Sequence, residues 1–318
     1  MTTEEQPARI VVGYDSSAPA DAAVDWAALE AQRRGLPLTV LHVINYRGTI
    51  PGAIDASPWP DLAWRADHQV TAKGVERARA KAPSIDVRPA ACSAQVAYAL
   101  IETSREAALL VIGTRGHGDL TGTVLGSVAF AVSAHAHCPV VVVRGDSARP
   151  PGPQRPVVVG LDGSGGADLA AQFAADIASG CGAPLLLVTA YPSANSRIWA
   201  ESAAYQAETD ACLDLDTIAR MNAGQIPSDA YRNARAAHPG LSVRQQLIEG
   251  PVATVLTAAA RDAGLLVVGS RGRGGFAGLL LGSVSHDAIH SAPCPVAVVR
   301  HAGAASVSPF EPVGSTHA

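Results

Sequence analysis

Two segments of this chain are near-copies of each other. Leu109–Arg144 and Leu265–Arg300 align without a gap at an offset of 156, and 19 of the 36 positions are identical. Upstream, Val11-Val12-Gly13-Tyr14-Asp15 matches Val158-Val159-Gly160-Leu161-Asp162 at an offset of 147, so the second copy carries a net nine extra residues in its middle. A chain of 318 residues with this repeat reads as two homologous units in series, each of ordinary domain size. The expected domains are 1–145 and 156–301. Residues 146–155 lie in a Pro- and Gly-rich stretch with no apolar period and read as a short, stiff linker. The tail 302–318 is expected to be disordered.

Within each unit, strand and helix patterns alternate. Ile10–Tyr14 is a short run rich in β-branched residues that ends at Asp15-Ser16-Ser17, a turn able to cap a helix. Ala20, Ala23, Val24, Ala27, Ala28 and Ala31 then recur at helical spacing, and the second unit places Ala167, Ala170, Ala171, Ala174, Ala175 and Ala178 at the same six positions. Gly35-Leu36-Pro37 breaks the helix and Leu38–Ile44 is the next strand. A loop over 45–61 leads into a polar helix ending near Lys81, followed by a strand at Val87–Cys92 and a helix at Gln95–Arg105. Leu109–Gly113 reads as a buried strand, Thr121–Ala134 as a helix and Pro139–Val143 as the closing strand. Five strands alternating with four helices imply an α/β unit with a parallel sheet covered on both faces. The last strands, Pro139–Val143 and Pro295–Val299, are apolar on both faces and need a cover.

Composition narrows the function. Hydrophobic residues make up 48% of the chain and aromatics only 4%, so alanine-rich helices packed closely on sheets are expected rather than aromatic cores. A net charge of −4 with no basic run gives no electrostatic basis for nucleic-acid binding. The longest apolar runs, such as Ala183–Val188, are too short to cross a membrane. The first residues lack the basic and apolar regions of a secretory signal. Five cysteines, odd in number and without a Cys-x-x-Cys pair, read as free thiols of a cytoplasmic protein.

The chemistry is concentrated in one loop per unit. Gly113-Thr114-Arg115-Gly116, nine residues and Gly126-Ser127 recur as Gly269-Ser270-Arg271-Gly272, nine residues and Gly282-Ser283. A loop that wraps phosphates turns its N–H groups inward and lets the anion come close, which side chains at those points obstruct. The alternative is an ordinary turn after a strand. Recurrence at both ends of the same span in both units favours the binding loop. The N–H groups near Gly126 are offered either by a local break or by a helix that begins later than Thr121. Neither a Walker A sequence nor a dinucleotide fingerprint is present, and Asp15 and Asp162 stand where the latter's glycines would be. Each Asp can accept from a ribose or base edge, or cap the following helix.

Strand–Asp–helix, the G-x2-G-x9-G-S loop and a closing strand preceded by Cys-Pro together resemble the universal stress protein family, over nearly the whole chain and twice. The tandem two-domain members found in actinobacteria are the most similar. The resemblance implies two doubly wound domains, each with a five-stranded parallel sheet in the order 3-2-1-4-5. It implies ATP, with Mg2+, as ligand in each. Asp15 and Val43 would hold the nucleoside, and Gly113, Arg115, Gly116, Gly126, Ser127 and Val128 the ribose and phosphates. The second-unit counterparts are Asp162, Ala190, Gly269, Arg271, Gly272, Gly282, Ser283 and Val284. Fifth-strand pairing, between the units or in a homodimer, is a further implication, as is a protein partner that the sequence does not identify.

The expected function is therefore nucleotide-dependent regulation of a stress response or of dormancy rather than catalysis, with a slow ATPase or a binder of AMP or cyclic AMP as alternatives. The one acidic residue within the first loop, Asp119, faces Gly275 in the second copy. His286 and His290 have a metal-chelating spacing but lack a third nearby ligand, and His135 and His137 are no better supported. Cys138 and Cys294 at matching positions before proline read as packing residues. Ser196–Ala237 is longer than its first-unit counterpart, which leaves the roof of the second site open.

Overall fold

The computed structural model describes residues 8–44, 59–116, 125–144, 149–191, 215–273 and 280–300, with the side chains of 59–68, 215–219, 221 and 222 outside that description. The first half contains β1 (Arg9–Gly13), α1 (Ala18–Arg34), β2 (Leu38–Ile44), α2 (Trp59–Lys81), β3 (Val87–Ser93), α3 (Val96–Thr103), β4 (Ala107–Gly113), α4 (Ser127–His135) and β5 (Val140–Val143). The second contains β6 (Val157–Gly160), α5 (Gly165–Gly180), β7 (Leu185–Tyr191), α6 (Leu215–Ala237), β8 (Val243–Glu249), α7 (Val252–Ala259), β9 (Leu265–Gly269), α8 (Ser283–Ser291) and β10 (Val296–Val299).

Each half orders its strands 3-2-1-4-5, all parallel. The two five-stranded sheets join through their fifth strands into one of ten strands, in the order β3-β2-β1-β4-β5-β10-β9-β6-β7-β8. The join is an antiparallel pairing of β5 with β10, in which Val142, Val141 and Val140 face Val296, Ala297 and Val298. The two apolar last strands thus cover each other's edges, satisfying their backbone groups without solvent.

Local chemistry explains the elements. Ser17 caps α1 by accepting from Ala20 N, Pro19 lies in the first turn, and Gly35 ends the helix at φ +64°. Ser164 caps α5 in the same way. All twelve small residues of the two alanine stripes are buried. Off the stripe, Asp25 and Asp21 pair with Arg77 of α2, and buried Glu30 is held by Arg33 and Arg34.

Two boundaries differ from the sequence expectation. α2 begins at Trp59, so Trp59–Asp61 belong to the helix rather than to the loop before it. Helix α4 begins at Ser127, not Thr121, because Leu125 and Gly126 are non-helical and Gly126 is the extended N-cap. The rest of the expected 45–61 loop, residues 121–124 of that helix, and the 302–318 tail lie outside the described residues.

Two apolar layers sandwich the sheet, and each runs through both halves. One lies under α1, α2, α5 and α6; the other lies under α3, α4, α7 and α8. Across the junction, Arg33 of α1 reaches Ile177 O (3.4 Å) and Cys181 Sγ (2.7 Å) at the end of α5. On the other face Phe130 of α4 meets His286 of α8 edge-on at 5.7 Å. Ala27 on α1 is fully buried against the sheet. Ala27→Leu is therefore expected to lower stability by about 1–3 kcal/mol through overpacking, read as a fall in the urea midpoint; an unchanged or raised midpoint would show that the alanine stripe is not closely packed.

Candidate functional site

In each half, β1 or β6 lies beside β4 or β9, so the turns at their carboxyl ends meet over one crevice. In the first half this crevice is a cavity of about 630 Å³, within the usual range for small-molecule sites. All eight first-unit positions named from the sequence line it: Asp15, Val43, Gly113, Arg115, Gly116, Gly126, Ser127 and Val128. One wall is apolar and is built from Leu41, Val43, Val96, Leu100 and Ile112. The opposite wall is the loop after β4 and the first turn of α4.

Close approach explains two of the glycines. A Cβ on Gly113 would lie 2.8 Å from the Pro19 carbonyl carbon, and one on Gly269 would lie 3.0 Å from that of Gly166. This glycine lets the last turn of the strand rest on the start of α1 or α5. A Cβ on Gly116 would fall on Asp15 Oδ2, and one on Gly272 on Asp162 Oδ2. The second glycine therefore admits the carboxylate of the β1 or β6 turn against the loop.

Those carboxylates have a local job as well. Asp15 Oδ1 accepts from Ser17 N (3.0 Å) and Ser17 Oγ (2.6 Å). Asp162 Oδ1 accepts from Ser164 N (2.9 Å) and Oδ2 accepts from Arg273 N (2.8 Å). The helix cap is thus Ser17 or Ser164, and the Asp holds the turn before it, with Ser16 and Gly163 at φ +64° and +74°. Asp15 Oδ1 thus already takes two donors, whereas Asp162 spreads its two over both oxygens and each of these has a second lone pair.

The third glycine works differently from the sequence expectation that its N–H faces an anion. Gly126 N donates to Thr114 O (3.0 Å) and Gly282 N to Ser270 O (2.8 Å). Phe130 N to Gly126 O and His286 N to Gly282 O, both 3.0 Å, are the first bonds of their helices. The N–H groups of Ser127, Val128 and Ala129, and of Ser283, Val284 and Ser285, consequently have no acceptor inside the helix. Neither helix carries a side-chain cap. A helix start of this kind, with the positive end of its dipole in a crevice and an arginine in the adjoining loop, can take a phosphate.

The second site differs in detail. Ser285 Oγ donates to Gly269 O (2.6 Å) and Ser270 O (3.3 Å), tying helix to loop, where the first unit has Ala129. Ala190 follows Thr189 on β7 as Val43 follows His42 on β2, and it pairs with Ile248. Residues 117–124, 192–214 and 274–279, which include Asp119 and Gly275, lie outside the described residues.

Sequence reasoning missed Tyr14, His42, Val96, Leu100 and Thr114, which also line the first cavity. His42 Nδ1 lies 2.8 Å from Tyr14 O, a carbonyl, so Nδ1 carries the hydrogen. Burial and the Asp21 hydrogen bond push the Tyr14 hydroxyl well above its usual pKa. The signal for Val96 and Leu100 was present: the repeat keeps both, as Val252 and Leu256.

Among the described residues no three His, Cys, Asp or Glu side chains gather as a metal site, and no helix is long and apolar enough to cross a membrane. His286 and His290 stack on each other at 6.3 Å. Cys92, Cys138, Cys181 and Cys294 are free. Burial pushes the Cys138 and Cys294 thiols up to about 12. Both are therefore expected to resist alkylation by iodoacetamide at pH 8 in the native chain and to react on unfolding, with peptide mass spectrometry as readout. Rapid native labelling would refute the packing role. Gly113→Ala is expected to cost about 1–3 kcal/mol by overpacking against Pro19 in the absence of any ligand; a chain with unchanged melting would disprove that contact.

The sequence profile of the universal stress protein family matches residues 8–144 and again 154–300. One universal stress protein of Mycobacterium tuberculosis H37Rv is 32% identical over 306 residues, covering 94% of this chain and 99% of that protein. Another from the same strain is 34% identical over 307 residues, covering 92% and 96%. The crystal structure of a universal stress protein from Archaeoglobus fulgidus DSM 4304 superposes with a TM-score of 0.62 at 20% identity, covering 93% of this chain and 99% of that one, and so shares the fold. With two family matches in series and relatives that span its length, this chain belongs to the universal stress protein family as a tandem two-domain member.

Proposed function

We propose that the protein is a nucleotide-dependent regulator of a cytoplasmic stress response, binding one ATP in each of two domains taken as residues 1–145 and 156–301. The observation that carries this reading is the first-half cavity. It joins an apolar slot to an uncapped helix start, with Arg115 and two close-approach glycines between them. Such a cleft suits a ligand that is flat and apolar at one end and polyanionic at the other.

In this reading the adenine lies against Val43, Val96 and Leu100, and the ribose reaches the Asp15 carboxylate. The phosphates meet Arg115 and the Ser127 and Val128 N–H groups, with the Ser127 hydroxyl as a further donor. Asp162, Ala190, Arg271, Ser283 and Val284 serve the second ligand, with Gly269, Gly272 and Gly282 shaping its loop. Mg2+ would arrive with the polyphosphate, held mainly by phosphate oxygens and water.

Turnover is expected to be slow or absent. Asp15 and Asp162 are the carboxylates that recur in both halves of the described sites, and each is already committed to the turn before its helix. Phosphoryl transfer to water needs a group to orient the nucleophile. A steady-state rate above about 1 s⁻¹, within the ordinary enzyme range, would overturn the regulatory reading in favour of an ATPase.

Calorimetry tests the binding directly. Two ATP per chain are expected, and ATP at tenfold above its Kd should stabilise the fold by about 1.4 kcal/mol. Gly116→Ala and Gly272→Ala should each remove one site by driving a methyl onto the Asp15 or Asp162 carboxylate. Absence of both heat and thermal shift at millimolar ATP, or full binding by the double variant, would defeat the proposal.

A further inference from the structure

The antiparallel join of β5 and β10 turns the two halves head to tail. The carboxyl ends of β1 and β4 lie at one edge of the sheet, and those of β6 and β9 at the other. Helix α8 leaves β9 and enters β10, so it runs from the second crevice to the edge that bears the first. Its nine residues span about 13 Å. Its N-terminus is the phosphate end of the second site, and its C-terminus lies near the first.

At that C-terminus stands a residue of the first half. Arg144, which follows β5, donates Nη2 to Ile289 O at 2.9 Å and also to His290 O. It clasps the last carbonyls of α8, where a cation also complements the helix dipole. The residue before it, Val143, accepts at O from Thr114 N in the first loop (3.0 Å). Burial disfavours the charge on Arg144, and the Arg115 guanidinium of that loop adds to this in smaller measure. One short path therefore links the first loop, Arg144 and the helix whose other end serves the second site.

The pseudosymmetric path is less complete. Ser270 N donates to Val299 O (2.8 Å), and Arg300 stands where Arg144 does. Burial, and in smaller measure Arg300, disfavour the imidazolium of His135, the last residue of α4. Yet the buried Nη1 of Arg300 has no hydrogen-bond partner among the described residues.

We propose that Arg144 is a positioning residue for the second site, through which ATP at the first site raises affinity at the second. The inference rests on the nucleotide reading given above. Phosphate bound beside Arg115 offsets the repulsion between Arg115 and Arg144. Arg144 then grips the α8 carbonyls more firmly and holds the far end of α8 in place for the second phosphate. By linkage, the second ATP favours the first equally.

The test is additivity of ATP isotherms. Gly116→Ala reports the second site alone and Gly272→Ala the first alone. The parent isotherm is expected to be steeper than their sum, with second-site Kd tightened about fivefold or more once the first is filled. In an Arg144→Gln background the sum rule should be restored while each single site still binds, a result that a merely structural role would not give. Arg144→Lys, which keeps the charge but loses the forked donor, should retain part of the coupling, and it serves as the readout if the Gln variant does not fold. Two independent sites in the parent, or full coupling in either Arg144 variant, overturn this inference while leaving nucleotide binding intact. A chain that binds no ATP defeats both.

Discussion

The adjacency of the first and fourth strands in each half governs everything functional in this molecule. Because β1 and β4 pair in parallel, the turn carrying Asp15 and the loop carrying Gly113–Gly116 leave the sheet side by side. They can share a crevice only if their backbones nearly touch. That requirement explains the glycines more economically than ligand binding does. Gly113 yields to Pro19, and Gly116 yields to the Asp15 carboxylate. The same two concessions recur at Gly269 and Gly272. The crevice is therefore shaped by packing alone, and the helix start of α4 keeps its first N–H groups without an intrahelical acceptor or a side-chain cap.

The second constraint is the edge. A five-stranded sheet ending in a strand as apolar as Val140–Val143 exposes an unpaired ladder of hydrogen-bonding groups. Tandem duplication solves this inside one chain, since β10, with Ala297 among three valines, presents a similarly apolar strand in antiparallel register. The resulting continuity has consequences beyond solubility. Both apolar layers cross the junction, and α1 with α5, and α4 with α8, become neighbours. Head-to-tail pairing also sends each ligand-facing helix toward the edge occupied by the other site, which is how Arg144 comes to lie at the end of α8.

How much of this was legible in the sequence depends on what fixed each feature. Strand and helix periods are local, so the alternation could be read directly, and all twelve stripe residues are buried where the repeat put them. The strand order was not readable from periodicity, which carries no information on neighbours, and came from family resemblance. The start of α4 was misplaced by six residues because Thr121–Gly126 carries no strong breaker other than glycine. What ends the loop is a tertiary bond, Gly126 N to Thr114 O. The same bond commits the third glycine's N–H to Thr114 O, so that Gly126 serves as the N-cap of α4. Val96 and Leu100 were missed because apolar residues on a short helix read equally well as core, although the repeat preserves both. Arg144 was invisible as a clasp, since its partners are main-chain carbonyls 145 and 146 residues away.

The repeat also shows where the two halves have diverged. The glycines that shape the crevice are shared, while one side-chain tie on the loop is not. Ser285 fastens the second loop through Gly269 O and Ser270 O, but Ala129 offers no hydroxyl for the same task. A buried serine with two acceptors in reach restrains the loop; alanine makes no such bond, and the first loop is held through Gly126 N on Thr114 O, Thr114 N on Val143 O and Ser17 Oγ on Arg115 O. A loop held by fewer bonds can adapt to the ligand at lower cost, and a loop held by more is set before the ligand binds. If both crevices take the same ligand, the second is the more rigid receptor and depends more on the orientation of α8. An external clasp at the far end of that helix therefore has most influence there, and this is the helix that Arg144 holds.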